Sequence, residues 1–399
     1  MKALSNIVML DFTHMLSGPY GTMLLADLGA QTIKIEPPGA GEGTRKLLAD
    51  DPDYSINGMG AYFLTLNRNK RSVCIDLKSE RGRALMLELV RHADVVFDNF
   101  SSGVMSRLGL GHQDLAKINP RIVTCSVTGF GSSGPAQHRP AFDLVAQGIG
   151  GGMSITGEEG GRPIRAGIPI GDLGGGIFGA LGVLAALMAR HETGRGQHVD
   201  VSMLDCQISM LNYMATMYAM SGKNPEPLGN RHFVHVPYDA FRTSTRYLII
   251  AILTDKFWES LIDLLGIEEL NDPAYKTQPG RYAARDRINE LVQRRFETNT
   301  CEYWLEQLAA RRIPCAPVND FEHVLSDPQV RSRNMVVPVR APDGRMVEMP
   351  GNPVKLSETD EESFSPPPAI GEHTAEVLAH YLKLSEADLA ALARDGVIQ

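Results

Sequence analysis

The sequence predicts an α/β protein: a doubly wound, mainly parallel sheet in a large domain, followed by a smaller α+β domain. Three observations lead there. The 399 residues suffice for two or three domains with a sizeable core. Over the first two hundred residues, short β-branched runs alternate with stretches of helical period. A polar, proline-rich stretch, Ser221-Gly222-Lys223-Asn224-Pro225-Glu226-Pro227, then breaks that texture and reads as a linker.

The first strand is expected at Ile7-Val8-Met9-Leu10-Asp11-Phe12, with a helix from about Gly18 and a second strand at Thr32-Ile33-Lys34-Ile35-Glu36. Ser72 to Leu77 forms the third strand, a helix runs from Ser79 to His92, and Asp94-Val95-Val96-Phe97 and Arg121 to Val127 add two more strands. Ligands of such sheets bind beyond the carboxyl ends of the strands. The most apolar helix candidate, Ile177 to Met188, has about twelve residues against the roughly twenty that span a bilayer, so it reads as a buried core helix and no membrane partner is expected. A helix containing Asp205 to Met220 closes a first domain of residues 1–220. The second, 221–325, holds a strand at Tyr247 to Ile252 and helices at Phe257 to Leu265, Arg287 to Glu297 and Glu302 to Arg312. Residues 326–399 read as an extended return segment ending in a helix at Thr374 to Leu382 that joins the large domain.

Thirty-nine basic against 47 acidic residues give a net charge of −8, so no global field draws the chain to nucleic acid. An anionic ligand must meet a local basic cluster. Five cysteines, Cys74, Cys125, Cys206, Cys301 and Cys315, are scattered and odd in number, which suits core thiols in a reducing, cytoplasmic setting. The opening Met1-Lys2-Ala3-Leu4-Ser5-Asn6 runs straight into a strand, with no export signal expected.

The most unusual stretch is Ala166-Gly167-Ile168-Pro169-Ile170-Gly171-Asp172-Leu173-Gly174-Gly175-Gly176, one acid set among glycines at the head of the apolar helix. Asp172 is either an N-cap or a reactive anion facing free helix amides. The glycines favour the second reading, because they admit a ligand and expose amides for an oxyanion. Asn67-Arg68-Asn69-Lys70-Arg71, with Lys78 beyond it, is either a phosphate-binding patch or a solvated loop. GxGxxG occurs at Gly129 to Gly134 and at Gly174 to Gly179, but the first runs into Pro135 and Pro140 and the second lacks its preceding strand. The histidines, including the His232 and His235 pair, show no metal-ligand spacing, so no metal is expected. Without GxSxG, or a base beside Cys125 or Cys315, covalent chemistry rests on a carboxylate.

Several stretches taken in order resemble the class III CoA-transferase family, which includes formyl-CoA:oxalate and carnitine CoA-transferases and the related α-methylacyl-CoA racemases. They are Val8 to Phe12 leading to Leu16-Ser17-Gly18-Pro19, Ile33 to Glu36, Asn69 to Ser72, Asp98-Asn99-Phe100, Gly129-Phe130-Gly131, Gly171-Asp172, Thr193 to Gln197, and Gly371-Glu372-His373-Thr374. The resemblance implies a Rossmann-like large domain, an interlocked ring-shaped homodimer, and Asp172 as the nucleophile that carries CoA through an aspartyl thioester and mixed anhydrides. The donor is then an acyl-CoA, such as succinyl-CoA, and the acceptor a small organic acid, dicarboxylic acids included. Coenzyme A is thus a substrate, and by the same resemblance Met15, Leu16, Lys78, Asn99, Phe100 and Arg107 contact it. Two departures matter. Pro37 stands where many members carry Arg, leaving the adenine side to Arg45 or Arg71. Ala141-Phe142-Asp143 stands where racemases have Gly-His-Asp, and phenylalanine relays no proton, which speaks for transfer over racemisation. Acyl-CoA racemisation using Asp172 is the alternative reaction, and a non-catalytic CoA-binding protein a third reading. Arg231 and His232 are candidates to hold a distal carboxylate, or else form a structural turn.

Overall fold

The structure, a computed structural model, describes residues 2–341, 343–359 and 362–399. The chain divides into two compact units: Met1–Met153 with Arg165–Lys223 and Gln329–Gln399, and Ser154–Ile164 with Asn224–Pro328.

The first unit is built on β1 (Val8–Asp11), α1 (Ser17–Asp27), β2 (Gln31–Glu36), β3 (Lys70–Cys74), α2 (Glu80–Val90), β4 (Val95–Asp98), β5 (Val123–Thr128), α3 (Asp143–Ile149), α4 (Ile170–Thr193), β6 (His198–Ser202), α5 (Met203–Leu211) and α6 (Tyr213–Ser221). All six strands are parallel, in the order β3-β2-β1-β4-β5-β6. This is the doubly wound order in which the strand sequence reverses between β1 and β4. Helices cover both faces, so the inner strands are buried throughout: Val95, Val96 and Phe97 are all at most 1% exposed. β6 is a strand that the sequence reading does not contain.

α4 is twice the length expected. It spans 24 residues and is long and apolar enough to cross a membrane by length and composition alone. Gly171, Gly174, Gly175, Gly176 and Gly179, which would weaken an isolated helix, are buried here. A Cβ on Gly176 would lie 2.5 Å from the Ser17 carbonyl oxygen, and one on Gly179 2.7 Å from Phe97 Cζ. Glycine therefore lets α4 lie against α1 and the sheet, and tertiary packing outweighs propensity. The helix expected across Asp205 to Met220 breaks at Asn212, which takes φ +49 between α5 and α6.

The C-terminal segment docks on β3. Gly371 N donates to Ser72 Oγ (2.9 Å), His373 N to the Ser72 carbonyl (3.0 Å), and Cys74 N to Thr374 Oγ1 (3.0 Å). A helix at Thr374–Leu382 follows, as the sequence predicts.

The second unit carries a three-stranded antiparallel sheet of β7 (Tyr238–Arg242), β8 (Tyr247–Ala251) and β9 (Cys315–Pro317), with β8 central. Its helices α7 (Asp255–Leu265), α8 (Arg285–Phe296) and α9 (Cys301–Ala310) enclose a separate core that includes Leu248, Trp258, Leu261, Phe296 and Trp304. The sequence reading contains β8 and the three helices but neither β7 nor β9.

Candidate active site

A cavity of about 660 Å³ opens in the first unit where the switch-point rule puts it. Its walls are the segments that follow the carboxyl ends of β1 (His14, Met15, Leu16), β4 (Asn99, Phe100) and β5 (Thr128, Gly129), together with Phe142, Asp143, Arg165 and Asp172. The β1 and β4 loops are laced together: His14 N donates to Asn99 Oδ1 and Asn99 Nδ2 to the His14 carbonyl, each at 2.8 Å. Met15 is held at φ +63, a conformation that costs a side-chain-bearing residue, immediately before α1 begins.

Behind these loops lies a buried charge network. Lys70 Nζ pairs with Asp11 Oδ2 at 2.9 Å and donates to Thr22 Oγ1 at 2.8 Å, while Lys34 Nζ donates to the Thr13 carbonyl at 2.7 Å. Burial pulls the Lys70 ammonium down to about 8, with Asp11 opposing. Burial alone would raise the Asp11 carboxyl, but Lys70 and Lys34 outweigh it and hold the group below its ordinary value. Arg68 sits 2.7 Å from Asp27 and is 1% exposed. The basic stretch from Asn67 to Arg71 is therefore neither a phosphate patch nor a solvated loop; its central cations are spent inside the unit. Arg45 is likewise committed, donating from two nitrogens to Glu36 at 2.6 and 2.7 Å, so it is not free for the adenine side of a cofactor.

Asp172 lies in the first turn of α4, whose N-cap is Pro169, so it is not the cap. That duty belongs to Asp143, the first residue of α3. Its Oδ1 accepts from Gly171 N (2.8 Å) and Asp172 N (3.3 Å), and its Oδ2 from Gln147 Nε2 (2.7 Å). Asp143 thus has a structural role, tying α3 to the head of α4. Among the described residues, none donates a hydrogen bond to the Asp172 carboxylate. Burial first, and the Asp143 charge second, push that carboxyl up to about 6. The group thus titrates above the ordinary carboxylate range, yet is still about nine-tenths ionised at pH 7.

The glycines after Asp172 do not receive a ligand. A Cβ on Gly175 would sit 2.5 Å from Ser17 Oγ, and one on Gly174 2.8 Å from Met210 Cε. They are packing residues, and the expectation that they shape an oxyanion site is overturned. Their spacing does place the nucleophile candidate, since Asp172, Gly175, Gly176 and Gly179 share one helix face, the face turned to α1 and β5.

Of the residues expected to contact a cofactor, Met15, Leu16, Asn99 and Phe100 line the cavity with Asp172. Lys78 and Arg107 do not: Lys78 is exposed after β3, and Arg107 is exposed in the short helix Val104–Arg107. Arg231 and His232 belong to the second unit. The Arg231 guanidinium is engaged by Glu159 and lies 3.6 Å from Asp286, while His232 Nδ1 accepts from Val234 N at 3.0 Å and His235 N at 3.2 Å, the bonding of a structural turn. Sequence reasoning missed His14, Tyr62, Arg139 and Arg165 on the cavity wall. His14 adjoins the expected Met15 and could have been found there; the other three carry no local signal. Burial, then the nearby Asp172 charge, raises the Tyr62 hydroxyl and keeps it protonated. Among the described residues no cluster of His, Cys, Asp and Glu could hold a metal ion.

Residues 4–374 match the family described as CoA-transferase family III. The chain is 35% identical to succinyl-CoA:glutarate CoA-transferase of Mus musculus, over 100% of this chain and 91% of that protein. It is 39% identical to acetyl-CoA:oxalate CoA-transferase of Acetobacter aceti, over 90% and 91% of the two chains. Among solved structures, a CAIB/BAIF family protein from Brucella suis superposes with a TM-score of 0.86 at 35% identity, covering 95% of this chain and 99% of that one. Rv3272 from M. tuberculosis gives 0.82 at 29% identity, covering 94% and 98%. Likeness that runs nearly end to end, in sequence and in backbone, leaves one assignment: the chain belongs to CoA-transferase family III and is a CoA-transferase.

Proposed function

We propose that this enzyme moves CoA between small carboxylic acids, dicarboxylic ones included, with Asp172 as covalent carrier. The observation that carries the reading is a carboxylate with no hydrogen-bond partner among the described residues, on the wall of the switch-point cavity. An Asp172 oxygen attacks the thioester carbonyl of the donor and expels CoA thiolate, leaving a mixed anhydride. The thiolate then attacks the aspartyl carbonyl, the donor acid departs as carboxylate, and an aspartyl-CoA thioester remains. The acceptor carboxylate attacks that thioester, a second anhydride forms, and the thiolate takes its acyl group to regenerate Asp172. No proton need be transferred, which suits a nucleophile without a partner base. Exclusion of water protects the anhydrides, and the apolar Leu16, Phe100 and Phe142 of the wall serve it. Dicarboxylic substrates are supported by the glutarate and oxalate enzymes to which the chain is similar.

In this reading the pantetheine arm of CoA lies against Met15, Leu16, Asn99 and Phe100, and the exposed Lys78 and Arg107 are left for its phosphates. The homodimer is supported by apolar side chains left exposed on α4 to α6, among them Leu181, Met188, Tyr213, Met217 and Met220. One observation favours the racemase alternative: His14 supplies the cavity with a second base, its imidazole kept neutral by burial and by Lys34.

The test is intact-protein mass after incubation with succinyl-CoA. A CoA-sized adduct, absent in Asp172→Ala, is expected; no adduct with several donors overturns the covalent route. Loss of α-deuterium from a branched acyl-CoA without any acceptor acid would establish racemisation instead.

A further inference from the structure

The cavity holds two cations, and they differ in what already occupies them. Arg139 lies over the Phe130 ring, 5.1 Å from its centroid. Arg165 stands at the head of α4: its Nη1 is 4.0 Å from Asp143 Oδ2, on the same carboxylate whose Oδ1 caps Gly171 and Asp172. That contact is loose. Asp143 is already satisfied by two backbone amides and by Gln147, so it needs nothing from Arg165. The guanidinium, 54% exposed, can therefore turn to a ligand without orphaning a buried acid.

We propose that Arg165 is the specificity-determining residue that receives the second carboxylate of a dicarboxylic acyl group while the first is bonded at Asp172. The proposal rests on the covalent reading above and adds to it the substrate class and the group that selects it. It also moves the role away from Arg231, whose charge is engaged by Glu159 and Asp286 in the second unit. A planar guanidinium offers a carboxylate two parallel hydrogen bonds, and beside the negative Asp143 it supplies the positive charge without which a second anion would be repelled. An acyl group ending in methyl gains nothing from Arg165 and forfeits only the desolvation of its neighbour.

The test compares succinyl-CoA with butyryl-CoA, two four-carbon thioesters that share the whole of CoA and differ at the distal group. The readout is the rate of CoA-adduct formation on Asp172 at sub-saturating thioester, taken as the succinyl-to-butyryl ratio, so that damage to folding or to the CoA site cancels. The wild-type ratio should favour succinyl-CoA. Arg165→Met should lower it by roughly ten- to a hundredfold, Arg165→Lys should restore part of it, and Arg139→Met should slow both thioesters without moving it. A wild-type ratio near one, or a ratio unchanged in Arg165→Met, overturns the proposal, as does a ratio that follows Arg139 instead. No adduct from either thioester in the wild type removes the covalent reading and this proposal with it. That result differs from an adduct whose ratio ignores Arg165.

Discussion

Asp172 holds its charge at a helix head whose first amides another acid has already taken. Burial and the Asp143 charge raise its carboxyl to about 6. Between the ordinary carboxylate value and 6, the unfolded chain has released this proton while the folded chain retains it, so folding loses stability as pH rises through that window. Above pH 6 the loss is complete, and below about 4 it vanishes. Asp172→Asn should therefore stabilise the protein at pH 7.5, by on the order of 1 kcal/mol after allowance for solvent screening, and give no gain near pH 4. Thermal melts at the two pH values check this; equal gains at both would mean that the charge is not the cause. The same carboxyl must be ionised to attack, so adduct formation in the wild type should fall as pH drops through about 6. Asp143→Asn removes the repelling charge and should move that acid limb to lower pH. Its amide still offers one oxygen to the α4 amides, so the cost in stability should stay near 1 kcal/mol. An acid limb that stays in place would show that Asp143 does not tune the nucleophile.

The glycines of α4 do not all serve one purpose. A Cβ on Gly176 meets the Ser17 carbonyl oxygen at 2.5 Å and Gly21 N at 3.0 Å, and backbone cannot give way. On Gly174 the nearest atom is the flexible end of Met210, at 2.8 Å. Gly176→Ala should thus destabilise by about 2–4 kcal/mol despite the better helix propensity of alanine, whereas Gly174→Ala should be neutral or slightly stabilising. Chemical denaturation of both variants checks the contrast, and similar effects at the two sites would refute this account of the α1–α4 packing. These residues also show where legibility ends. Strand-helix alternation was readable because parallel strands buried on both faces, such as Val95 to Phe97, are continuous apolar runs. Asp172 stood out by its setting, but the reason given for that setting was wrong: the glycines answer to Ser17 and Phe97, which lie far away in sequence. Lys70 and Arg68 misled for the same cause, since composition cannot show that Asp11 and Asp27 wait behind them. β6 and β7 were missed because each carries polar and charged residues in place of an apolar run (His198 and Asp200; Asp239 and Arg242), and β9 because it has three residues; each earns its place by pairing with a neighbouring strand.

At the scale of the whole molecule, the stretches that carry the family likeness divide: those with Leu16, Asn99, Phe100, Gly129 and Asp172 line the cavity, while others are docking points. Gly194 ends α4 at φ +71, and a Cβ on Gly196 would lie 1.9 Å from the Ile122 carbonyl oxygen; Gly371, His373 and Thr374 fasten the C-terminal segment to Ser72 and Cys74. Such residues mark a shared fold, while the substrate depends on the less conspicuous side chains of one cavity wall. The two units have separate apolar cores, and both tryptophans, Trp258 and Trp304, lie in that of the second, at 2% and 1% exposure. Tryptophan emission therefore reports the second unit alone, whereas far-ultraviolet circular dichroism sums over both. Leu89 on α2, 2% exposed, belongs to the first unit's core. Truncating it to alanine should cost that core about 2–5 kcal/mol. In guanidinium unfolding followed by both signals, Leu89→Ala should move the dichroism transition to lower denaturant by more than the emission transition. Leu261→Ala, in the second core, should do the reverse. If either variant moves the two transitions by the same amount, the cores unfold as one cooperative system, and the division into two units is one of geometry without energetic independence.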